Sequence, residues 1–464
     1  MKPKLSLLWL GNEPLSGRAY FTWGIVLALV KYNLDRIIAA IWFGERWTIF
    51  NPETLKLYLW QSPLQEAQQP YFLTLLIVAL PFLWVGTLLT LRRLRTLGWR
   101  PFWVLLFFVP VVKFLFFAVL CLLRSGAEKS TPPRRDNAWE RFCGRVFPRG
   151  VFASAAFAVP ITAGLALLAV KLGTEVYRDY GWTIFIGLPF AMGFLAVLID
   201  SYQVTRGPGR CLLVANLTVV LVGLGLLVVA MEGVICLLMA APVAFAVASI
   251  GGLMGYAVQR NFWWRADSPK LFCSVILLVP LAMGAEHSLP PTLPLLKVTS
   301  SITINAPPET VWRNVVTFSE LPPPTEMIFK LGVAYPIRAE IKGCGVGAVR
   351  HCNFSTGPFV EPITVWDEPR LLKFSVTHNP EPMQEWTPYR EVHPAHLDGY
   401  LESQAGQFHL VPLAGGRTLL EGTTWYHHRL WPADYWQLWS DHIIHTIHLR
   451  VLRHIKQLSE IPAP

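Results

Sequence analysis

A multi-pass α-helical membrane domain followed by one water-soluble α+β domain is the fold class the sequence predicts. Three observations predict it. Of 464 residues, 53% are hydrophobic and only 15% charged, where a soluble protein carries roughly 25% charged residues. The apolar excess lies in long runs before about residue 288, and the remainder has ordinary globular composition. Beyond residue 298 the hydrophobic pattern changes from continuous runs to the alternation of strands.

A spanning helix needs roughly 20 mostly apolar residues. The candidates are 21–43, 71–91, 101–123, 150–171, 182–201, 211–230, 233–256 and 271–288. Each must close its own backbone hydrogen bonds, so all are expected as helices. The third carries Pro110 and Lys113 and is strongly basic on both flanks. With the N-terminus inside and 101–123 as a re-entrant hairpin, 19 Lys/Arg fall in cytoplasmic loops and 4 outside. That count favours seven full spans by the positive-inside rule and exports the C-terminal domain. An eight-span alternative with the N-terminus outside exports it too. The expected division is a membrane region over 1–125 and a basic cytoplasmic loop over 126–149. A second helical region follows over 150–288, then a Pro-rich connector over 289–297 and the C-terminal domain over 298–464. In the first span Lys31 and Asp35 are four residues apart and can pair, which lowers the cost of burying them.

The net charge of +10 raises the question of a nucleic-acid partner. Its distribution argues against one. Through Lys297 there are 27 Lys/Arg against 14 Asp/Glu, and beyond it 13 against 16. The excess belongs to membrane loops, so membrane lipids are the expected partners and nucleic acid is not.

In the C-terminal part, Thr299 to Ile304 alternates as a strand, and Pro307-Pro308 opens a helix containing Val311, Trp312, Val315 and Val316. Strand-like runs follow at about 335–342, 346–355, 358–366, 370–378, 402–412 and 416–427. An amphipathic helix closes the chain from about 432 to 458. Its inward stripe is Trp436, Ser440, Ile443, Ile444, Ile447, Val451 and Ile455.

Three pieces carry a family resemblance here: Ile304 to Trp312 (INAPPETVW), Gly343 to Arg350 (GCGVGAVR) and Gly415 to Thr423 (GGRTLLEGT). They make residues 298–460 resemble the helix-grip fold of START lipid-transfer domains and polyketide cyclases, the SRPBCC superfamily. The resemblance implies a curved antiparallel sheet around the long C-terminal helix, with an apolar cavity between them. It does not fix an activity, because members bind varied ligands and only some are enzymes. Separately, Gly17-Arg18 with Tyr20 and Trp23, and Arg92 to Trp99 (RRLRTLGW), make residues 15–125 similar to a family of small bacterial inner-membrane proteins of unknown function. That family usually has His-Asp where this chain has Arg95-Thr96.

Trp386, Tyr389, Tyr400, Tyr426 and Trp436 are expected near the cavity mouth, with Phe408, Leu420, Thr424, Ile443 and Ile447 lining it. Residues 380–398 are too long and Pro-rich for a hairpin turn. They read as an entrance lid offering Trp386, Tyr389 and His393, or else as an excursion docking on the membrane part. Alternation places Leu420, Gly422, Thr424 and Tyr426 inward and Glu421 outward, which counts against catalytic use of Glu421. Asp441, His445 and His448 share a helix face, read as a polar edge meeting solvent or headgroups. No metal motif, CxxC pair, catalytic triad or phosphate loop occurs, so no catalytic residue, metal ligand or cofactor is expected. Cys236 reads as a small packing residue. The leading functional expectation is a bacterial inner-membrane protein that binds a hydrophobic small molecule or lipid non-covalently. Its rivals are a cyclase or dehydratase using the same cavity, and an assembly protein whose cavity is filled.

Overall fold

The computed structural model describes residues 15–44, 69–99, 101–108, 112–123, 138–260, 264–288, 293–389 and 393–461. The chain divides into two compact units. One comprises 1–177, 183–224 and 243–291, the other 178–182, 225–242 and 292–464.

The first unit is helical. Helix α1 (Gly17–Trp42) starts at Ser16, whose hydroxyl caps it by accepting from the Ala19 N–H. Within it Lys31 and Asp35 form the expected pair, at 2.5 Å. Helix α2 (Gln69–Thr96) follows. A 3-10 stretch (Pro101–Phe108) and the short α3 (Val112–Leu122) come next. At 1.5 Å per residue, α3 reaches about 16 Å, half a bilayer core. Residues 109–111, on which the hairpin-or-span alternative turns, lie outside the described residues. Arg93 of α2 is fully buried. Its guanidinium donates to the carbonyls of Leu120 (2.8 Å) and Leu15 (3.0 Å), and also to that of Leu123. Close approach here requires Gly17, because a Cβ there would lie 2.5 Å from the Cys121 carbonyl.

After α4 (Ala138–Val146) come α5 (Val151–Lys171), α6 (Leu188–Asp200), α7 (Pro208–Val228), α8 (Val234–Gln259) and α9 (Trp264–Ser288). Buried Asp200 gathers Ser154 (2.6 Å) and Arg210 (2.8 Å). Among the described residues six helices are long and apolar enough to cross a membrane, where the sequence reading expects seven or eight spans. Segment 21–43 is helical and carries Lys31, Asp35 and Arg36, and the described parts of 101–123 are the 3-10 stretch and the short α3.

The second unit is built on a seven-stranded antiparallel sheet, ordered β1-β7-β6-β5-β4-β3-β2. The strands are β1 (Leu296–Ile304), β2 (Pro336–Lys342), β3 (Val349–Phe354), β4 (Gly357–Asp367), β5 (Leu371–Ser375), β6 (Leu401–Leu413) and β7 (Arg417–His428). Register shifts at Pro336/Arg338, Ile363/Val365 and Ser403/Ala405 interrupt three ladders, and such irregularities bend a sheet and increase its twist. Helices α10 (Pro308–Val316) and α11 (Met327–Lys330) lie between β1 and β2, and α12 (Ala433–Glu460) ends the chain. Val311, Trp312 and Val315 of α10 join Leu372, Leu410 and Leu420 of the sheet and Leu452 and Ile455 of α12 in one core. The alternation read from the sequence therefore gives Leu410 of β6 and Leu420 of β7 their inward side.

Candidate functional site

Between the sheet and α12 lies a cavity of about 120 Å³. Two glycines explain why space remains. Gly422 of β7 faces Phe408 of β6 across the ladder, and a Cβ at 422 would still stand 3.7 Å from Phe408 and Leu452. Gly406 is the opposite case: a Cβ there would meet the Phe374 ring at 2.6 Å, so glycine lets that ring lie over β6. The walls are otherwise mostly aromatic and aliphatic, including Phe318, Phe374, Phe408, Ile447 and Val451.

Three strongly polar side chains, one cationic, one acidic and one imidazole, stand among that wall's residues. Arg350 of β3 and Glu361 of β4 are directly opposed across the ladder and form a buried ion pair. The Arg350 guanidinium also lies 5.5 Å from each of the Phe318, Phe374 and Phe408 rings, at cation–π distance. Its Nε, fully enclosed, has no hydrogen-bond partner. Burial raises the Glu361 carboxyl above its ordinary range, against the pull of Arg350. The third group is His448 of α12, whose Nε2 is 2.7 Å from Thr424 Oγ1. On the other side Ser300 Oγ lies 3.1 Å from His448 Nδ1 and 2.7 Å from His445 Nδ1. Burial first, then His445, pushes His448 down to about 4, so it is neutral at pH 7. The histidine face of α12 is thus not a plain polar edge. His448 looks into the cavity and is wired through Ser300 to exposed His445.

Of the residues expected at the site, Phe408, Thr424 and Ile447 line the cavity. Leu420 and Ile443 are buried elsewhere, Leu420 in the main core. Tyr426 is buried with its hydroxyl held by Ser440 and Asp441. Trp436 donates to the Trp431 carbonyl, and Tyr400 to that of Arg178. Trp386 and Tyr389 are exposed, and His393 is held between Asp398 and Glu381. Glu421 pairs with His409, its cross-strand neighbour on β6.

The described residues of 380–398 do not line the cavity. Instead Glu385 and Trp386 serve the start of α8, whose first N–H groups need acceptors. The Trp386 carbonyl takes the N–H of Val234, and the Glu385 carboxylate takes those of Ile235 and Cys236. His396 lies beside them, with Nε2 2.8 Å from Cys236 Sγ and Nδ1 3.2 Å from Glu232 Oε2. Cys236 is therefore part of a polar cluster, which corrects its reading as packing. Burial opposes charge on His396, but Cys236, Glu232 and Glu385 outweigh it and hold the imidazole well above its usual value. Glu385 is correspondingly depressed, because its bonds to His396, Cys236 and the Ile235 N–H outweigh burial.

Residues 296–425 match the family described as polyketide cyclase / dehydrase and lipid transport. The C-terminal domain, a seven-stranded antiparallel sheet packed against the long α12, is similar in architecture to START-like helix-grip domains. Residues 15–132 match a second family, a protein of unknown function (DUF805). Among solved structures, truncated norcoclaurine synthase from Thalictrum flavum is 16% identical, covering 37% of this chain and 98% of that one at a TM-score of 0.25. The protein XoxI from Bacillus cereus is 17% identical, covering 35% and 93% at 0.24. The Aha1 dimer from Colwellia psychrerythraea is 16% identical, covering 36% and 99% at 0.22. No curated protein matches the chain.

Sequence reasoning missed Arg350 and Glu361, although strand alternation held the signal. In β3, Arg350 shares its face with buried Cys352, and in β4 Glu361 shares its face with buried Ile363. No comparable signal marks His396.

Proposed function

We propose that the helix-grip domain holds a hydrophobic small molecule, or a segment of a lipid, in this cavity at the bacterial inner membrane. The observation that carries the reading is an apolar chamber with one caged cation in its wall, whose Nε–H lacks a partner. Apolar burial supplies affinity at roughly 25 cal/mol per Å², and the Arg350–Glu361 pair makes one stretch of the wall polar. Size narrows the ligand. An engineered cavity of about 150 Å³ binds benzene, so the present space takes a ring or a short stretch of acyl chain. A larger guest requires α12 to move off the sheet. The family description, which includes lipid transport, supports the same reading.

Native mass spectrometry of the full chain released from detergent tests it. An oxygen-bearing apolar molecule should accompany the wild type and be absent from Gly422→Leu, which fills the cavity. A wild type that arrives empty and binds no fluorescent fatty acid would overturn the reading.

Catalysis is favoured by a different observation, the path from Thr424 through His448 and Ser300 to His445. A neutral imidazole on a cavity wall can take a proton and pass it outward. His448→Gln should then retain the ligand but stop its conversion, whereas under pure binding the recovered molecule is the same in both proteins. For orientation, the charge count supports an extracytoplasmic helix-grip domain. A reporter active only in the cytoplasm, fused after Pro464, should be silent.

A further inference from the structure

Glu232, Cys236 and His396 each place a ligand-type atom within 4.8 Å of the other two. Glu385 Oε1 stands 3.6 Å from His396 Nε2. These four come from the turn before α8, its first helical turn and the 380–398 segment, all within the second compact unit. Glu232, Glu385 and His396 are buried.

The geometry points to a transition-metal site in which Cys236, His396 and Glu385 ligate one divalent ion. The arrangement around the ring assigns the roles. A histidine offers one nitrogen to an ion and keeps the other for an acceptor that fixes its tautomer and orientation. On the Nε2 side stand the Cys236 sulfur at 2.8 Å and Glu385 at 3.6 Å. On the Nδ1 side stands Glu232 at 3.2 Å, itself accepting from the Tyr180 hydroxyl at 2.7 Å. Glu232 is thus the positioning residue and the Nε2 side is the ion's side. Ligands of one tetrahedral zinc lie roughly 3.3–3.8 Å apart, given bonds of about 2.0–2.3 Å. The His396–Cys236 separation therefore has to open by somewhat under 1 Å.

One sulfur, one imidazole nitrogen and one carboxylate oxygen form a borderline-soft set that suits zinc, or iron and cobalt in the same oxidation state, and not calcium or magnesium. The fourth position falls to water. Ion uptake converts the Cys236 thiol to a thiolate and releases its proton, so binding weakens as pH falls. The ion would join the 380–398 segment to the start of α8 by bonds stronger than the hydrogen bonds they already share.

Cobalt(II) titration of the chelator-stripped full chain in detergent tests the proposal. One equivalent should produce a thiolate-to-cobalt charge-transfer band, which one equivalent of zinc abolishes. Cys236→Ser keeps a hydrogen-bonding group beside His396 but should lose the band entirely. Glu232→Gln should retain it with affinity reduced about 10–100-fold, as expected for a partner of the ligand histidine. Wild type that gains no band, or a band that survives Cys236→Ser, overturns the assignment. Because the wild-type titration decides the first point alone, poor folding of a variant does not leave the question open.

Discussion

The second unit contains two buried polar clusters, assembled in opposite ways. Arg350 and Glu361 face each other across neighbouring strands and are 11 residues apart in sequence. Tyr180, Glu232, Cys236, Glu385 and His396 span more than 200 residues and meet only because distant segments pack together. The first pair is a property of one hairpin and is available as soon as that hairpin forms. The second is a property of the finished fold, and reports whether the 380–398 segment is docked on the start of α8. The cavity wall should therefore respond to mutation as a local unit, and the His396 cluster as a long-range fastening.

The sharpest way to break this contrast is at Arg350. Arg350→Met leaves Glu361 buried without its cation and should cost about 3–5 kcal/mol, while Arg350→Met with Glu361→Leu should recover much of the loss. Thermal unfolding of the full chain in detergent checks both. If the single and double variants are equally unstable, the pair does not act as a closed local unit.

His396→Gln should cost less, about 1–3 kcal/mol for leaving buried partners unmatched, and its signature is pH dependence measured with a chelator present. His396 titrates above its ordinary 6.5, so its contribution is complete below that pH and is lost as pH rises through the elevated value. Glu385 titrates below its ordinary 4.5, so its contribution is complete above that pH and is lost as pH falls through the depressed value. The wild type should lose stability on the alkaline side and His396→Gln should not. Limited proteolysis near residue 386 should accelerate in the variant, with the sheet remaining protected.

Burial of His448 has the reverse sense. A folded value of about 4 makes its contribution complete above 6.5 and lost as pH falls from there toward 4. His448→Gln should flatten that acid limb by a smaller amount. Smallest of all should be the stability change in Gly422→Leu, below the roughly 1–3 kcal/mol of an overpacked core, because the added volume enters existing space.

Legibility followed the same division. The strands, α12 and the inward faces of β6 and β7 were readable because alternation and helical spacing are local. Leu420, Gly422 and Thr424 took the side that parity gave them. Parity also held Arg350 and Glu361, but a charged residue in an inward position runs against the pattern being sought. Aromatic content misled at Trp386 and Tyr389, which are exposed beside the start of α8 and do not border the cavity. The role of Cys236 was invisible, since its partner is 160 residues away and nothing periodic connects them.

Arg93 carries a consequence of another kind. Its three-carbonyl grip draws on a planar fork with donors in several fixed directions. A lysine would preserve the positive charge and still fail, because a single ammonium cannot reach carbonyls that lie along separate rays. The basic cluster near residue 92 thus includes one residue selected by direction more than by sign. Counting charges to assign sidedness treats it as interchangeable with its neighbours, whereas in the folded chain it is the clasp that ties α2 to Leu15 and to the end of α3.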